Sequence, residues 1–158
     1  MALSLESAGL VRQKAREYTR SPLIFYTLKA FFLYWATNKS NADLQFVAYA
    51  GEDTLASGGY DTGLDEAHRL YVFYGKKAAT AEDVYLYAFD DATNDAGAGT
   101  DGRCNLVFLE SGDEAIAVYP SGIPMTAGLV VKSYTDFDGT TDTTSGSAPD
   151  GFVIVGAA

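Results

Sequence analysis

Apolar positions along the chain change their spacing at Pro22. Before it, Leu5, Leu10, Val11 and Tyr18 recur at loose helical intervals among Arg12, Lys14, Arg16 and Glu17. This predicts a short helix over residues 4–20 with Ser4 as its cap. Ser21-Pro22 ends it, because proline disfavours helical geometry in the residue before it. Residues 23–36 are then dense in Phe, Tyr, Leu and Trp35. The stretch 29–37 reads as a strand, since aromatic residues suit a pleated surface. A buried helix is the rival reading, because a continuous apolar run has no periodicity to arbitrate.

Beyond this point the grammar is β. Asn38-Lys39-Ser40-Asn41 is a turn cluster, after which Leu44, Phe46 and Ala48 alternate with Gln45, Val47 and Tyr49. A Gly- and Asp-rich loop covers 51–63. Further strands are expected at 69–74, 83–89, 105–109, 115–119, 129–134 and 152–155, separated by turn signals such as Ser111-Gly112-Asp113 and Pro120-Ser121-Gly122. Such spacing predicts an all-β fold, an antiparallel β-sandwich of jelly-roll-like type with a short N-terminal α-helical arm. The arm would take residues 1–21 and the sandwich 22–158.

Several strands are apolar on both faces. In 84–89, Val84, Leu86 and Ala88 point one way while Tyr85, Tyr87 and Phe89 point the other. One row fills a sandwich core. The other, left bare, would be a large apolar patch of the kind that subunit interfaces use. Tyr85, Tyr87 and Phe89 are therefore the expected oligomer interface, with cover by the N-terminal helix or loop 51–63 as the alternative.

Composition narrows the function classes. The 158 residues are 47% hydrophobic and 20% charged, enough for one domain with a sizeable core. No apolar run reaches the length needed to span a bilayer, and the N-terminus is expected to carry no signal peptide. The net charge of −10 is uneven: residues 1–50 hold six basic side chains against three acidic, residues 51–158 five against eighteen. An acidic body repels nucleic acid, so no nucleic-acid partner is expected. Only the N-terminal segment favours an anionic partner.

Chemistry is sparse. There is no Gly-x-Ser-x-Gly nucleophile motif and no Gly-rich phosphate loop. The single histidine, His68, and single cysteine, Cys104, read better as a surface or interface histidine and a small buried hydrophobe than as a Cys–His pair. Two acidic runs, residues 90–102 and Asp136-Phe137-Asp138-Gly139 with Asp142, offer oxygens for calcium, but Asx and Gly turns explain them without a metal. No catalytic residue, cofactor or metal is expected, and the chain is expected not to be an enzyme.

From about His68 onward the sequence resembles small β-sandwich proteins of tailed-bacteriophage virions. The likeness lies in an ordered series of segments. Lys77-Ala78-Ala79-Thr80-Ala81-Glu82-Asp83 leads into the Tyr- and Leu-rich strand, and a loop with Gly97, Gly99, Thr100 and Asp101 follows. Tyr119-Pro120-Ser121-Gly122-Ile123-Pro124-Met125-Thr126-Ala127-Gly128-Leu129-Val130-Val131 is its most characteristic piece, and Gly151-Phe152-Val153-Ile154-Val155-Gly156 closes it. The resemblance covers the last 90 or so residues. It implies a capsid decoration (cement) protein, or a tail or fibre component, placed in the virion and assembled in the host cytoplasm. Its partners would be the major capsid protein or other virion proteins and copies of itself in a homotrimer. Leu5, Leu10, Val11, Arg12, Lys14, Arg16 and Arg20 are then the expected partner-docking arm. A carbohydrate-binding module, with exposed Tyr and Trp35 stacking on sugars, is the alternative.

Overall fold

The computed structural model describes residues 5–38, 44–51, 59–64, 66–77, 82–91, 103–110, 113–144 and 147–158. Among these residues two helices, α1 (Ala8–Arg16) and α2 (Pro22–Asn38), precede eight strands: β1 (Leu44–Tyr49), β2 (Tyr60–Asp61), β3 (His68–Lys76), β4 (Val84–Phe89), β5 (Arg103–Leu109), β6 (Glu114–Met125), β7 (Val130–Tyr134) and β8 (Asp150–Ala157). The strands form two antiparallel sheets ordered β1-β8-β3-β6 and β2-β7-β4-β5. The pairs β1–β8, β2–β7, β3–β6 and β4–β5 are each adjacent, so the chain runs as one long double strand whose successive pairs alternate between the sheets. The expected sandwich is the observed architecture.

Alternation along the strands sorts side chains into layers. Val153 and Val155 of β8 join Phe73, Leu86, Ala88, Leu109 and Val131 in a core between the sheets. Phe152 and Ile154, one residue out of phase, face the other way and meet the helices. In β3 the alternation breaks: Leu70 and Phe73 face the inter-sheet core, whereas Tyr71, Val72 and Tyr74 face the helices. The register shifts at this point, where β6 places the Pro120-Ser121-Gly122 segment opposite Tyr71. That segment was expected to be a turn ending a strand at 119. It is instead an irregularity inside a strand running on to Met125. β6 is an edge strand, which tolerates the prolines, and Gly122 takes φ +74°, where a side chain would strike Arg69 and the Tyr71 ring.

The expected strand at 29–37 is part of α2, so the rival reading was the right one. Pro22 occupies the first helical position, where its fixed φ is favourable, and Phe25 N–H bonds the Ser21 carbonyl. Ile24, Leu28, Phe31, Phe32 and Trp35 then fall on one side and bury against Leu44, Tyr71, Val72, Phe152 and Ile154. Packing against a sheet overrides the strand preference of the aromatics. α1 is shorter than expected and is capped by Ser7, whose Oγ accepts from Leu10 N–H; Ser4 lies outside the described residues. Between the helices, Thr19 Oγ1 donates to Glu114 at 2.7 Å and the Tyr74 hydroxyl donates to the Tyr18 carbonyl at 3.1 Å. These bonds fix the connection onto β3 and β6. The boundary expected after residue 21 thus divides two helices of one layer.

Three strands meet at a glycine trough. Tyr49 on β1 aligns with Gly151 on β8, which aligns with Gly75 on β3. The Tyr49 phenol lies over Gly151 and donates to the Tyr74 carbonyl at 2.6 Å. Burial pushes its pKa well up. A Cβ on Gly151 would collide with that carbonyl and with the phenol, and one on Gly75 would meet Leu86 Cδ2 at 2.7 Å. Gly151→Ala should therefore lower stability by about 1–3 kcal/mol, the usual cost of overpacking. Gly9→Ala, with nothing within 4 Å of its Cβ in α1, should raise stability by roughly 0.5–1 kcal/mol. Urea midpoints measure both, and a neutral Gly151→Ala would refute the trough.

Candidate interaction surface

The groups that carry chemistry are turned to structural use. His68 opens β3 and is fully buried within the chain, so the expected surface or interface histidine is instead an internal one. With its proton on Nδ1 the ring donates to the Glu66 carbonyl at 2.8 Å, and Nε2 has no hydrogen-bond partner among the described residues. Burial lowers its pKa, outweighing the upward pull of the Glu66 carbonyl and the Asp90 and Glu66 charges. The imidazole is enclosed by the chain. Cys104 takes its place in β5, its side chain outside the described residues.

The acidic loops act as clamps. Burial alone would raise the Asp90 pKa, but its carboxylate accepts from the backbone N–H groups of Thr126, Ala127 and Gly128 and from Thr126 Oγ1, and the net shift is downward. This ties the β6–β7 connection to the end of β4. Asp136 accepts from the Thr140 hydroxyl and from the backbone of Thr140 and Thr141, which lowers its pKa to about 2. Asp142 pairs with Lys132 at 3.1 Å. No group of three His, Cys, Asp or Glu side chains is placed to hold a metal among the described residues; residues 92–102 of the first acidic run lie outside them. A cleft of about 350 Å³ opens between Tyr18, Ala48, Tyr49, Ala50 and Asp150, and the Asp150 carboxylate there accepts from Gly51 N–H at 2.5 Å.

The surfaces expected to bind partners fall differently. Tyr87 and Phe89 are buried within the chain, packed with Val130 and Tyr134 on the outer face of the second sheet. Their cover is the segment after β7, where the Tyr87 hydroxyl donates to the Phe137 carbonyl. The N-terminal helices pack on the first sheet instead, and residues 52–58 of loop 51–63, the other expected cover, lie outside the described residues. The exposure that recommended these residues as an oligomer interface is absent. Tyr85 alone is half-buried, beside Phe108 and Phe137, which are 42% and 59% exposed.

The expected arm is likewise part of the body. Val11 is fully buried with Ala15 against α2 and the first sheet, and so is closed to a partner. Glu6 and Leu44 exchange backbone hydrogen bonds at 2.6 and 2.9 Å. Lys14 pairs with Glu6 at 2.6 Å, and the Arg16 guanidinium sits 5.0 Å from the Phe25 ring centre. Leu5, Leu10 and Arg20 remain exposed and Arg12 partly so.

Sequence reasoning missed the outward side of α2. Leu23, Tyr26, Leu33 and Tyr34 are 76%, 64%, 69% and 38% exposed. A helix apolar on all sides needs two contact faces, and that signal was present in residues 23–36 once they are read as helical. Trp35, offered as a sugar-stacking residue, is buried against Tyr71. No helix among the described residues is long and apolar enough to cross a membrane. No protein-family model, curated protein or solved structure matches the chain.

The His68 environment generates a pH dependence. The folded ring holds its proton less tightly than the unfolded one, so the unfolded chain binds more protons just below its value of 6.5. Stability is complete above that value and declines as pH falls through it. The lowered Asp90 pKa keeps its own contribution intact until the carboxylate range, near pH ~4 and below. Urea midpoints should therefore drop between about pH 7 and pH 5, and His68→Gln should flatten the drop. A slope unchanged in that variant would exclude His68 as its source.

Proposed function

We propose that this chain is a non-enzymatic structural protein of a tailed-bacteriophage virion, a capsid decoration protein that binds and stabilises the particle through protein–protein contacts. The observation that carries the reading is the strand order β1-β8-β3-β6 over β2-β7-β4-β5, which we read as that of a jelly roll, a scaffold found in viral capsid and lectin domains. A fold alone does not select a function. The surface adds to it: exposed Leu5 and Leu10 lie in a helical layer beside Arg12, Arg16 and Arg20. An apolar surface with a basic fringe suits an acidic protein shell, while the acidic body disfavours nucleic acid. The buried His68 and the internally bonded carboxylates support a role without catalysis. The major capsid protein is the proposed partner, and the particle, assembled in the host cytoplasm, the proposed location.

The exposed aromatics Phe108 and Phe137 beside Tyr85 favour a second reading, a carbohydrate-binding or tail-fibre module that stacks sugars on this patch.

Because Val11 and Ala15 are buried, removing the N-terminal segment would bare the first sheet, so charge reversal is the cleaner test. Arg12→Glu/Arg20→Glu should fold normally yet co-sediment several-fold less with undecorated particles, each exposed ion pair being worth only ~0.2–1 kcal/mol. Added salt should weaken binding by the unaltered chain without abolishing it. Absence of the chain from purified virions, or saturable binding to a glycan that Phe137→Ala abolishes, would overturn the decoration reading.

A further inference from the structure

The outward side of α2 has a definite spacing. Its exposed residues Leu23, Tyr26, Ala30, Leu33 and Thr37 alternate steps of three and four, the repeat that keeps one seam of a helix facing another helix along its length. The buried row Ile24, Leu28, Phe31 and Trp35 lies about half a turn away. α2 thus carries two separate seams, and only one is used within the chain. The second runs along a helix roughly 25 Å long at 1.5 Å per residue.

We propose that this seam is a homo-oligomer interface, in which the α2 helices of two or three copies of this chain pack side by side in parallel. Three features select a second copy over any other occupant. Leu23, Ala30 and Thr37 fall on one repeating position and Tyr26 and Leu33 on the other, so parallel copies set each residue against its own counterpart and the symmetry closes. Ala30, small and central, lets the axes approach to about 8 Å. Lys29 and Tyr34 flank the seam on opposite sides and are five residues apart. In a parallel pair that offset brings Lys29 of one copy to Tyr34 of the next, an ammonium against an aromatic ring. Lys29 is also the only charged residue of α2, so little opposes the approach. Association requires no helix nucleation, since the first sheet already holds α2 folded. The proposal stands whether or not the chain belongs to a virion.

Sedimentation velocity of the full chain over about 1–100 µM, the range where a small interface saturates, should give two or three times the 16.9 kDa chain mass. Leu33→Glu and, separately, Tyr26→Glu should weaken association roughly ten-fold or more with unchanged circular dichroism, because both side chains are exposed in the single chain. In a Cys104→Ser background, Leu23→Cys should form a disulfide-linked dimer on mild oxidation, which an antiparallel pairing would not allow. A chain at 16.9 kDa throughout overturns the proposal, as does an oligomer that survives Leu33→Glu or that Phe108→Glu disrupts instead. A monomer that floats with anionic phospholipid vesicles assigns the seam to a lipid surface and equally overturns it. Loss of particle binding without a change of mass bears on the decoration reading alone.

Discussion

The fold is governed by two strands that are apolar on both sides. β3 and β8 occupy the middle of the first sheet, and each sends one row of large side chains toward the second sheet and another row away from it. A sandwich covers only one of those rows. The other, made of Tyr71, Val72, Tyr74, Phe152 and Ile154, must find a lid, and α1 and α2 are that lid. The position of the helices, the bonds of Thr19 and Tyr18 that hold their connection, and the burial of Val11 and Trp35 all follow from this need. The molecule is consequently three layers deep, helices on sheet on sheet. Its two cores share β3 and β8 as a common wall.

Legibility in the sequence tracked how local the cause was. β1, β4, β7 and β8 were readable because period-two alternation and flanking turn residues are properties of short windows. The assignment of Val84, Leu86 and Ala88 to the inter-sheet core follows from the same alternation. α2 was ambiguous because its inward and outward rows are both apolar, leaving no polar phase to reveal a helical period. The two-residue β2 was hidden in a loop, since its pairing with Val130 and Val131 is a long-range event. The continuation of β6 past Pro120 depended on β6 lying at a sheet edge, which no window of sequence discloses. Tyr87 and Phe89 were read as bare for a related reason: their cover, the Phe137 segment, looks like any polar turn.

Polar groups serve mainly to position loops. Asp90 and Asp136 each gather backbone N–H groups, one holding the β6–β7 connection and the other closing the turn after β7. Both are partnered by the chain itself, so these two carboxylates are spent on geometry. The charged surface left over is divided, a basic helical layer on an acidic body. Contact through the helical layer then places the most basic part of the chain against its neighbour.

The position of β8 has a consequence for how the chain reaches this state. It is the last of the eight strands in chain order, yet it lies between β1 and β3, pairing Leu44 with Gly156 and Lys76 with Asp150. The first sheet is therefore zipped by contacts of very long sequence separation, the class of topology that folds slowly because loop closure precedes any reward. Until β8 arrives, the facing edges of β1 and β3 are open templates for pairing with another chain. During synthesis on a ribosome, everything up to β7 waits in that state. A chaperone that shields strand edges is thus most valuable in the interval just before β8 emerges.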